Sequence, residues 1–273
     1  MTAVYIILGV AAVLICGWLF LIFPSLRRHP DRKILSGMYI AHRGLHDLLP
    51  DTPENSLPAF REAAALGVAI ENDIHITAAG EGGVFHDDTL KRMCGDERTV
   101  ESCTLAELKE LRLQDTDHTI PTLRECLDTV DGKVPLLIEF KALNIKTAER
   151  LCVAADKILS EYKGKYFVQS FYPPVLGWYK KNRKEICRGQ LSETFKGEKI
   201  SRRIAGLLLF NFISRPDFVS FDHKGADSFS RRAATRFGAF PVGWTFTKSE
   251  ELEKGKENFK TYIFEKFLPD RER

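Results

Sequence analysis

Val68–Thr77 reads VAIENDIHIT, and this stretch decides how the chain folds. It follows a helix-like run that stops at Gly67, and its Val, Ile and Thr content marks a strand. Successive side chains of a strand alternate faces, so Glu71 and Asp73 point the same way. Pro135–Lys141 (PLLIEFK) repeats the arrangement with Glu139 and Lys141. Upstream, Met38–Gly44 is a further strand that ends in Ala41-His42-Arg43-Gly44. Between the first two strands, Pro53–Leu66 reads as a helix with Thr52 as its N-cap.

The alternation continues outward. Gly82–His86 is a short extension after a Gly-containing turn, and Thr104–Arg112 and Thr122–Val130 have helical patterns. Ile145–Tyr162 is a helix ended by Gly164. Further strands are expected at Tyr166–Phe171, Ile186–Leu191, Asp217–Phe221, Pro241–Thr247 and Thr261–Phe267, with helical patterns between them. About eight strands alternating with helices predict a parallel sheet, and eight such units close into a (β/α)₈ TIM barrel. A doubly wound sheet lacks its usual GxGxxG or GxxxxGK string. The stretch between His86 and Glu139 holds two helical segments without a barrel strand and reads as an insertion in a βα loop. Only Pro269–Arg273 follow the last strand, so no closing helix is expected.

With 273 residues and 44% apolar content, the chain suits one large domain. A net charge of +3 is too small and too dispersed to imply a nucleic-acid partner, and no nucleic-acid-binding motif is present. Ala3–Phe23 (AVYIILGVAAVLICGWLFLIF) carries no charge and is long enough to span a bilayer. No Lys or Arg precedes it and no small-x-small cleavage site follows, so an uncleaved anchor is expected rather than a signal peptide. Arg27, Arg28, Arg32 and Lys33 lie just after the span, which predicts a cytoplasmic C-terminal domain. The cysteines at 16, 94, 103, 126, 152 and 187 form no CxxC pair, so reduced thiols are expected and zinc is not.

The chemistry follows from the strand ends. If the strands of Glu71, Asp73 and Glu139 are neighbours, three carboxylates converge and resist ionisation together. A hard divalent cation, Mg²⁺ or Ca²⁺, resolves this with all-oxygen ligation. Three carboxylates and one such ion leave a charge near −1, which Arg43 and Lys141 offset for an anionic substrate; Arg suits forked contact with phosphate oxygens. His42 and His86 are candidates to take a proton from a nucleophile and give one to a leaving alkoxide. The inventory suits metal-assisted cleavage of a phosphodiester.

These residues resemble the glycerophosphodiester phosphodiesterases. The likeness is carried by His42-Arg43-Gly44, Pro53-Glu54-Asn55-Ser56, Gly67 before Glu71-x-Asp73, His86-Asp87-x-x-Leu90-x-Arg92, Ile120-Pro121-Thr122-Leu123 and Glu139-x-Lys141. It continues more loosely through Val168-Gln169-Ser170-Phe171 and Gly243-Trp244-Thr245. The resemblance implies a barrel over residues 38–273 with an inserted subdomain at 87–134; the apolar run and the basic residues behind it are read separately as an anchor at 1–25 and a basic juxtamembrane linker at 26–37. It implies Glu71, Asp73 and Glu139 as metal ligands, His42 and His86 as the acid/base pair, and Arg43 and Lys141 on the phosphate. Glycerophosphodiesters, or lysophospholipids, would be cleaved to glycerol 3-phosphate and an alcohol. Many members carry Asp-x-Pro after the last strand; here Glu265 is the candidate replacement and the Pro is missing.

Alternatives are a phospholipase D-like or phosphatidylinositol-specific phospholipase-like barrel, and a non-catalytic membrane scaffold. The insertion and the Pro-Glu-Asn-Ser string argue against the first two, and the intact histidines and acids against the third. Asn55 and Trp244 are further candidates for substrate contact, the first by hydrogen bonding and the second by stacking. His75 shares the face of Asp73 and is read as a hydrogen-bonded barrel histidine. Residues 180–203 carry nine Lys or Arg against three Glu and lead into an apolar run, Ile204–Ile213. That segment is read as an outer helix, with an interfacial role as the alternative. The sequence leaves oligomeric state open.

Overall fold

A computed structural model describes residues 2–270 of the chain. Nine strands form one sheet: β1 (Tyr39–Ala41), β2 (Ala69–Ile76), β3 (Gly82–Val84), β4 (Leu136–Phe140), β5 (Tyr166–Ser170), β6 (Arg188–Ser192), β7 (Phe218–Asp222), β8 (Phe240–Phe246) and β9 (Thr261–Phe264). Eight of them run parallel in the order β1-β9-β8-β7-β6-β5-β4-β2, and β1 also pairs with β2, which closes the barrel. β3 pairs antiparallel with β2 as a hairpin outside the ring.

Alternation sorts the strand residues. Ile70, Ile74, Ile138, Phe140, Val168, Val219 and Phe221 join the main apolar core with Phe60, Ala63, Leu151 and Leu176 of the surrounding helices. The opposite faces fill the barrel. Ile40, Ala69, Leu137, Phe167, Phe218, Val242 and Ile263 form a separate apolar cluster there. Two residues further along these strands stand His42, Glu71, Glu139, Gln169, Trp244 and Glu265. The interior is therefore apolar toward the strand starts and polar at their C-terminal ends. That is the end where barrels of this type carry their sites.

Several elements stop short of the sequence expectation. β1 ends at Ala41 because Arg43 (φ 55°) and Gly44 (φ 82°) turn left-handed. A Cβ on Gly44 would meet the Ala59 backbone and side chain at 2.9 Å, so the turn also needs the missing side chain. The first barrel helix is Leu57–Ala65, not Pro53–Leu66, and its N-cap is Ser56, not Thr52. Asn55 is left-handed (φ 54°), so the chain cannot enter a helix before Ser56, whose hydroxyl accepts from the Ala59 N–H. β9 ends at Phe264, before left-handed Lys266. Among the described residues no helix follows it; residues 271–273 lie outside them.

After β3 a third apolar cluster forms from Phe85, Leu90, Met93, Val100, Cys103, Leu108, Leu113 and Ile120. The next helix, Leu123–Val130, places Leu123, Cys126, Leu127 and Val130 in the main core instead.

The N-terminal helix Thr2–Ile22 is long and apolar enough to cross a membrane, and it is almost entirely exposed. Only its last turns touch the barrel. Trp18 stacks on Phe229 (5.4 Å between rings), Phe20 meets Phe212 (6.0 Å), and Phe23 stacks on Phe237 (5.3 Å). Arg215 donates to the carbonyls of Phe20 and Phe23, both at 2.8 Å. The chain then passes under the barrel, where Leu35 is buried and Asp31 pairs with Lys165.

Candidate active site

Glu71, Asp73 and Glu139 meet because β2 and β4 are neighbours in register, with Asp73 opposite Glu139. One carboxylate oxygen from each lies within 4.8 Å of the others, and all three side chains are buried. Lys141 reaches over them from the end of β4: its Nζ is 2.6 Å from Glu139 Oε1 and 3.0 Å from Asp73 Oδ1. Arg43 Nε lies 3.7 Å from Asp73 Oδ2, and its backbone N–H donates to Glu71 Oε2 at 3.1 Å. The left-handed turn at Arg43 is what aims that N–H inward.

The charges are unevenly held. Burial, with Asp73 and Glu139 nearby, pushes the Glu71 carboxyl well above the ordinary carboxylate range. Burial raises Glu139 to about 7 against the pull of Lys141. Asp73 is equally buried, yet Lys141, His86, Arg43 and the Asn55 amide outweigh that and hold it below the ordinary range. Burial alone would lower Lys141, but Asp73 and Glu139 raise it, so it stays a cation.

Each histidine has a carboxylate on Nδ1. His42 Nδ1 is 2.7 Å from Glu265 Oε2, and His86 Nδ1 is 2.6 Å from Asp87 Oδ1. A carboxylate there holds Nδ1–H and leaves Nε2 to exchange protons with the site, as acceptor in the neutral ring and donor in the charged one. Burial lowers His42 to about 4 and also lowers His86, disfavouring the charged form of both rings. The hydrogen bond from His42 holds Glu265 well below the usual carboxylate range.

Behind these pairs lies a chain of ions. Arg92 donates to both Asp87 and Glu54, and Glu54 accepts from Arg43 at 2.8 Å. His86 is thereby tied to Arg43 through three side chains, Asp87, Arg92 and Glu54. On the other side buried His46 lies 3.7 Å from Glu265 and 3.0 Å from Asp47.

The remaining candidates divide. Asn55 spends its amide on Asp73: Nδ2 donates to Oδ2 at 2.9 Å, and Oδ1 accepts from the Asp73 N–H at 3.3 Å. His75 is buried, with Nε2 at 3.2 Å from the His86 carbonyl, so it braces the backbone of His86. Trp244 packs edge-on against Phe171, 5.8 Å between rings, beside the lower apolar cluster. The 180–203 basic stretch is split. Lys180 and Lys181 sit at the end of the helix Pro173–Asn182, where Lys180 Nζ binds the Ile213 carbonyl, whereas Lys196 and Lys199 follow β6 at the mouth.

Sequence reading missed His46 as part of the site and left Glu54 and Arg92 as motif letters without a role. Glu265 was noted only as a replacement residue. Its signal was available: Ile263 fills the barrel, so Glu265 faces the same interior one step higher.

A cavity of about 800 Å³ opens beside the carboxylates. His86, Glu139 and Lys141 line it together with apolar Phe171, Leu191, Phe195, Leu208 and Phe210 and with polar Gln190, Glu193 and Arg202.

A family model described as the glycerophosphoryl diester phosphodiesterase family matches residues 42–198, more than half of the chain. Similar curated proteins include a glycerophosphodiester phosphodiesterase of Caldanaerobacter subterraneus, 35% identical over 113 residues, covering 38% of this chain and 45% of that one. Lysophospholipase D GDPD1 of Homo sapiens is 26% identical over 155 residues, covering 52% of this chain and 48% of that one. The chain thus spans about half the length of the curated relatives it matches. Among solved structures, a phosphodiesterase of Oleispira antarctica in complex with the product sn-glycerol-3-phosphate aligns with a TM-score of 0.69 at 21% identity, covering 86% of this chain and 94% of that one. A glycerophosphoryl diester phosphodiesterase structure from Silicibacter pomeroyi aligns at 0.70 and 21% identity, covering 91% and 93%. At such identities the likeness is one of fold.

Proposed function

Because the chain belongs to the glycerophosphoryl diester phosphodiesterase family, we propose that it hydrolyses glycerophosphodiesters to glycerol 3-phosphate and an alcohol at the cluster of Glu71, Asp73 and Glu139. The observation that carries this is the convergence of those three buried carboxylates under Lys141 and Arg43, with a carboxylate-paired histidine on either flank.

The cluster fits one divalent cation. Oxygen ligands lie about 2.0–2.6 Å from Mg²⁺ or Ca²⁺, so oxygens sharing one ion are at most about 5 Å apart. The three carboxylates meet that limit. Burial and the neighbouring carboxylates hold Glu71 and Glu139 back from ionising, which added positive charge would relieve. The ion, when bound to them, supplies positive charge to a phosphoryl oxygen.

The side chains do the rest. Arg43 and Lys141 offset the charge of the phosphodiester, Arg43 held by Glu54 and Lys141 by Asp73 and Glu139. One histidine accepts the nucleophile's proton at Nε2 as that oxygen bonds to phosphorus. The other, entering as the imidazolium, gives its Nε2 proton to the alcohol oxygen as the bond of that oxygen to phosphorus breaks. Glu265 and Asp87 stabilise whichever ring is charged.

A second reading of the substrate, a lysophospholipid, is favoured by the cavity, which joins Glu139 and Lys141 to the apolar side chains of Phe171, Leu191, Phe195, Leu208 and Phe210. The helix Thr2–Ile22 is read as a membrane anchor, with the basic residues after it placing the barrel on the cytoplasmic side.

The test is release of glycerol 3-phosphate by the purified full chain in detergent, from glycerophosphocholine and glycerophosphoethanolamine. Activity should vanish with EDTA, return with a divalent ion, and be lost in His42→Ala and Glu71→Ala. Inertness with every ion tried, or full activity in both variants, would refute the reading.

A further inference from the structure

The N-terminal helix is not free to point anywhere, because its docking gives it a direction. Trp18 meets Phe229, the first residue of the barrel helix Phe229–Arg236, and Phe23 meets Phe237, just past its last. That barrel helix returns from the C-terminal end of β7 to the start of β8. The N-terminal helix runs alongside it in the same sense. Its undocked part, Thr2–Gly17, therefore projects beyond the C-terminal ends of the strands, the end that holds His42, Glu71 and Glu139.

The docked end then sets the depth. A helix that enters the bilayer through its undocked part leaves it where the docked turns begin, so the bilayer surface lies at Trp18 and Phe229, at the level of the mouth. Trp18 suits that depth, since its ring favours the membrane interface.

The rim is built for such a contact. Phe229 is 75% exposed, Ile200 74%, Ile145 68% and Leu143 60%; Leu143 and Ile145 follow the C-terminal end of β4, Ile200 that of β6 and Phe229 that of β7, and all but Leu143 open the helix that comes next. Lys196, Lys199, Arg202 and Arg203 surround Ile200 and can hold their charges at the headgroups. Leu66, at the opposite end of the barrel, stands apart from this rim.

We propose that the mouth of the barrel is seated on the bilayer surface, with the side chains of Phe229 and Ile200 immersed, so that the apolar arm of the cavity opens onto the leaflet. The inference rests on the membrane-anchor reading and not on the reaction.

The test places single nitroxide labels on the full chain in phosphatidylcholine–phosphatidylglycerol vesicles, in a Cys16→Ser, Cys94→Ser background that removes the two accessible thiols. Labels at Phe229→Cys and Ile200→Cys should be relaxed more by oxygen than by a water-soluble nickel chelate, as should one at Val10→Cys in the anchor. Labels at Leu66→Cys and Lys181→Cys should show the reverse. Rim labels that behave like Leu66→Cys while Val10→Cys stays in lipid would overturn the seating alone. A Val10→Cys label in water would overturn the anchor and the seating together. Rim labels shielded equally in detergent would point to a protein partner and also overturn it. None of these outcomes depends on turnover. As a second readout, Phe229→Ser with Ile200→Ser should cut hydrolysis of vesicle-borne lysophosphatidylcholine about fivefold or more and leave soluble glycerophosphocholine unaffected.

Discussion

Glu265 lies 2.7 Å from Nδ1 of His42 across 223 positions of sequence, and it is the only carboxylate hydrogen-bonded to that ring among the described residues. The pair bridges the first and last strands of the barrel, which are themselves neighbours. Its effect is to choose a tautomer: with Nδ1–H donated to Glu265, the lone pair sits on Nε2.

Glu265→Gln should therefore lose activity through kcat more than through KM. An amide can donate to Nδ1 and move the proton to Nε2, where it blocks acceptance. Comparable orienting carboxylates are worth about 10⁴-fold in kcat. A loss of about 10²-fold or more is expected here, because His46 can also contact the substituted side chain. Steady-state kinetics on glycerophosphocholine would decide; a change confined to KM would place Glu265 on the substrate instead.

The carboxylate cluster makes a prediction about the metal-free protein. Glu71 has its folded pKa raised above the ordinary value by burial and by Asp73 and Glu139. A group raised in this way contributes stability below its unfolded pKa, near 4.5, and loses it as pH rises through the folded value. Glu71→Gln removes that loss. At pH 8 in EDTA the variant should melt higher than the parent, by about 2 °C for each 1 kcal/mol recovered, and the difference should shrink toward pH 5. Adding Mg²⁺ or Ca²⁺ should reverse the order, because only the parent keeps all three carboxylates. Thermal melts at both pH values, with and without the ion, read out the sign.

Asn55 was expected to touch a ligand, and its geometry gives it different work. Both ends of its amide are on Asp73, so it orients a carboxylate of the cluster. Asn55→Gly keeps the left-handed backbone and removes only the amide. Its affinity for the divalent ion should fall about 10–100-fold, while KM for glycerophosphocholine at saturating ion changes little. Titration of activity against ion concentration separates the two; a raised KM with unchanged ion affinity would restore the ligand-contact reading.

What was legible in the sequence was what alternation encodes. Glu71 and Asp73 sit two apart, as do Glu139 and Lys141, and strand geometry alone puts each pair on one face. The same rule carries Ile263 to Glu265, but it fixes only a face and not a partner on β1. Arg43, Asp47 and Asn55 escape it altogether, because left-handed turns have no period. His46, Glu54 and the true helix start at Ser56 all lie in that turn-rich segment. The docking of the N-terminal helix was equally hidden. An uncharged run shows that it is apolar, not which aromatic side chains of a distant helix will receive it.

Gly189 carries the last prediction, since it lets the barrel close beneath the site. It lies on β6 opposite Phe218 of β7 in register, and a Cβ there would fall 1.9 Å from the Phe218 ring. The contact is with a fully buried side chain in the same close-packed cluster as Phe167, Leu137 and Ile263, so the ring can move only by displacing neighbours. Overpacking of this kind costs about 1–3 kcal/mol or more. Gly189→Ala should thus lower the melting temperature by several degrees. Because Gln169 and Gln190 flank this layer immediately below the mouth, activity per folded molecule should fall as well. Gly189→Ala combined with Phe218→Leu, which frees the space, should recover much of the loss in stability. Melting temperatures of the single and double variants check this, and a single variant as stable as the parent would show that the barrel wall yields where its packing says it cannot.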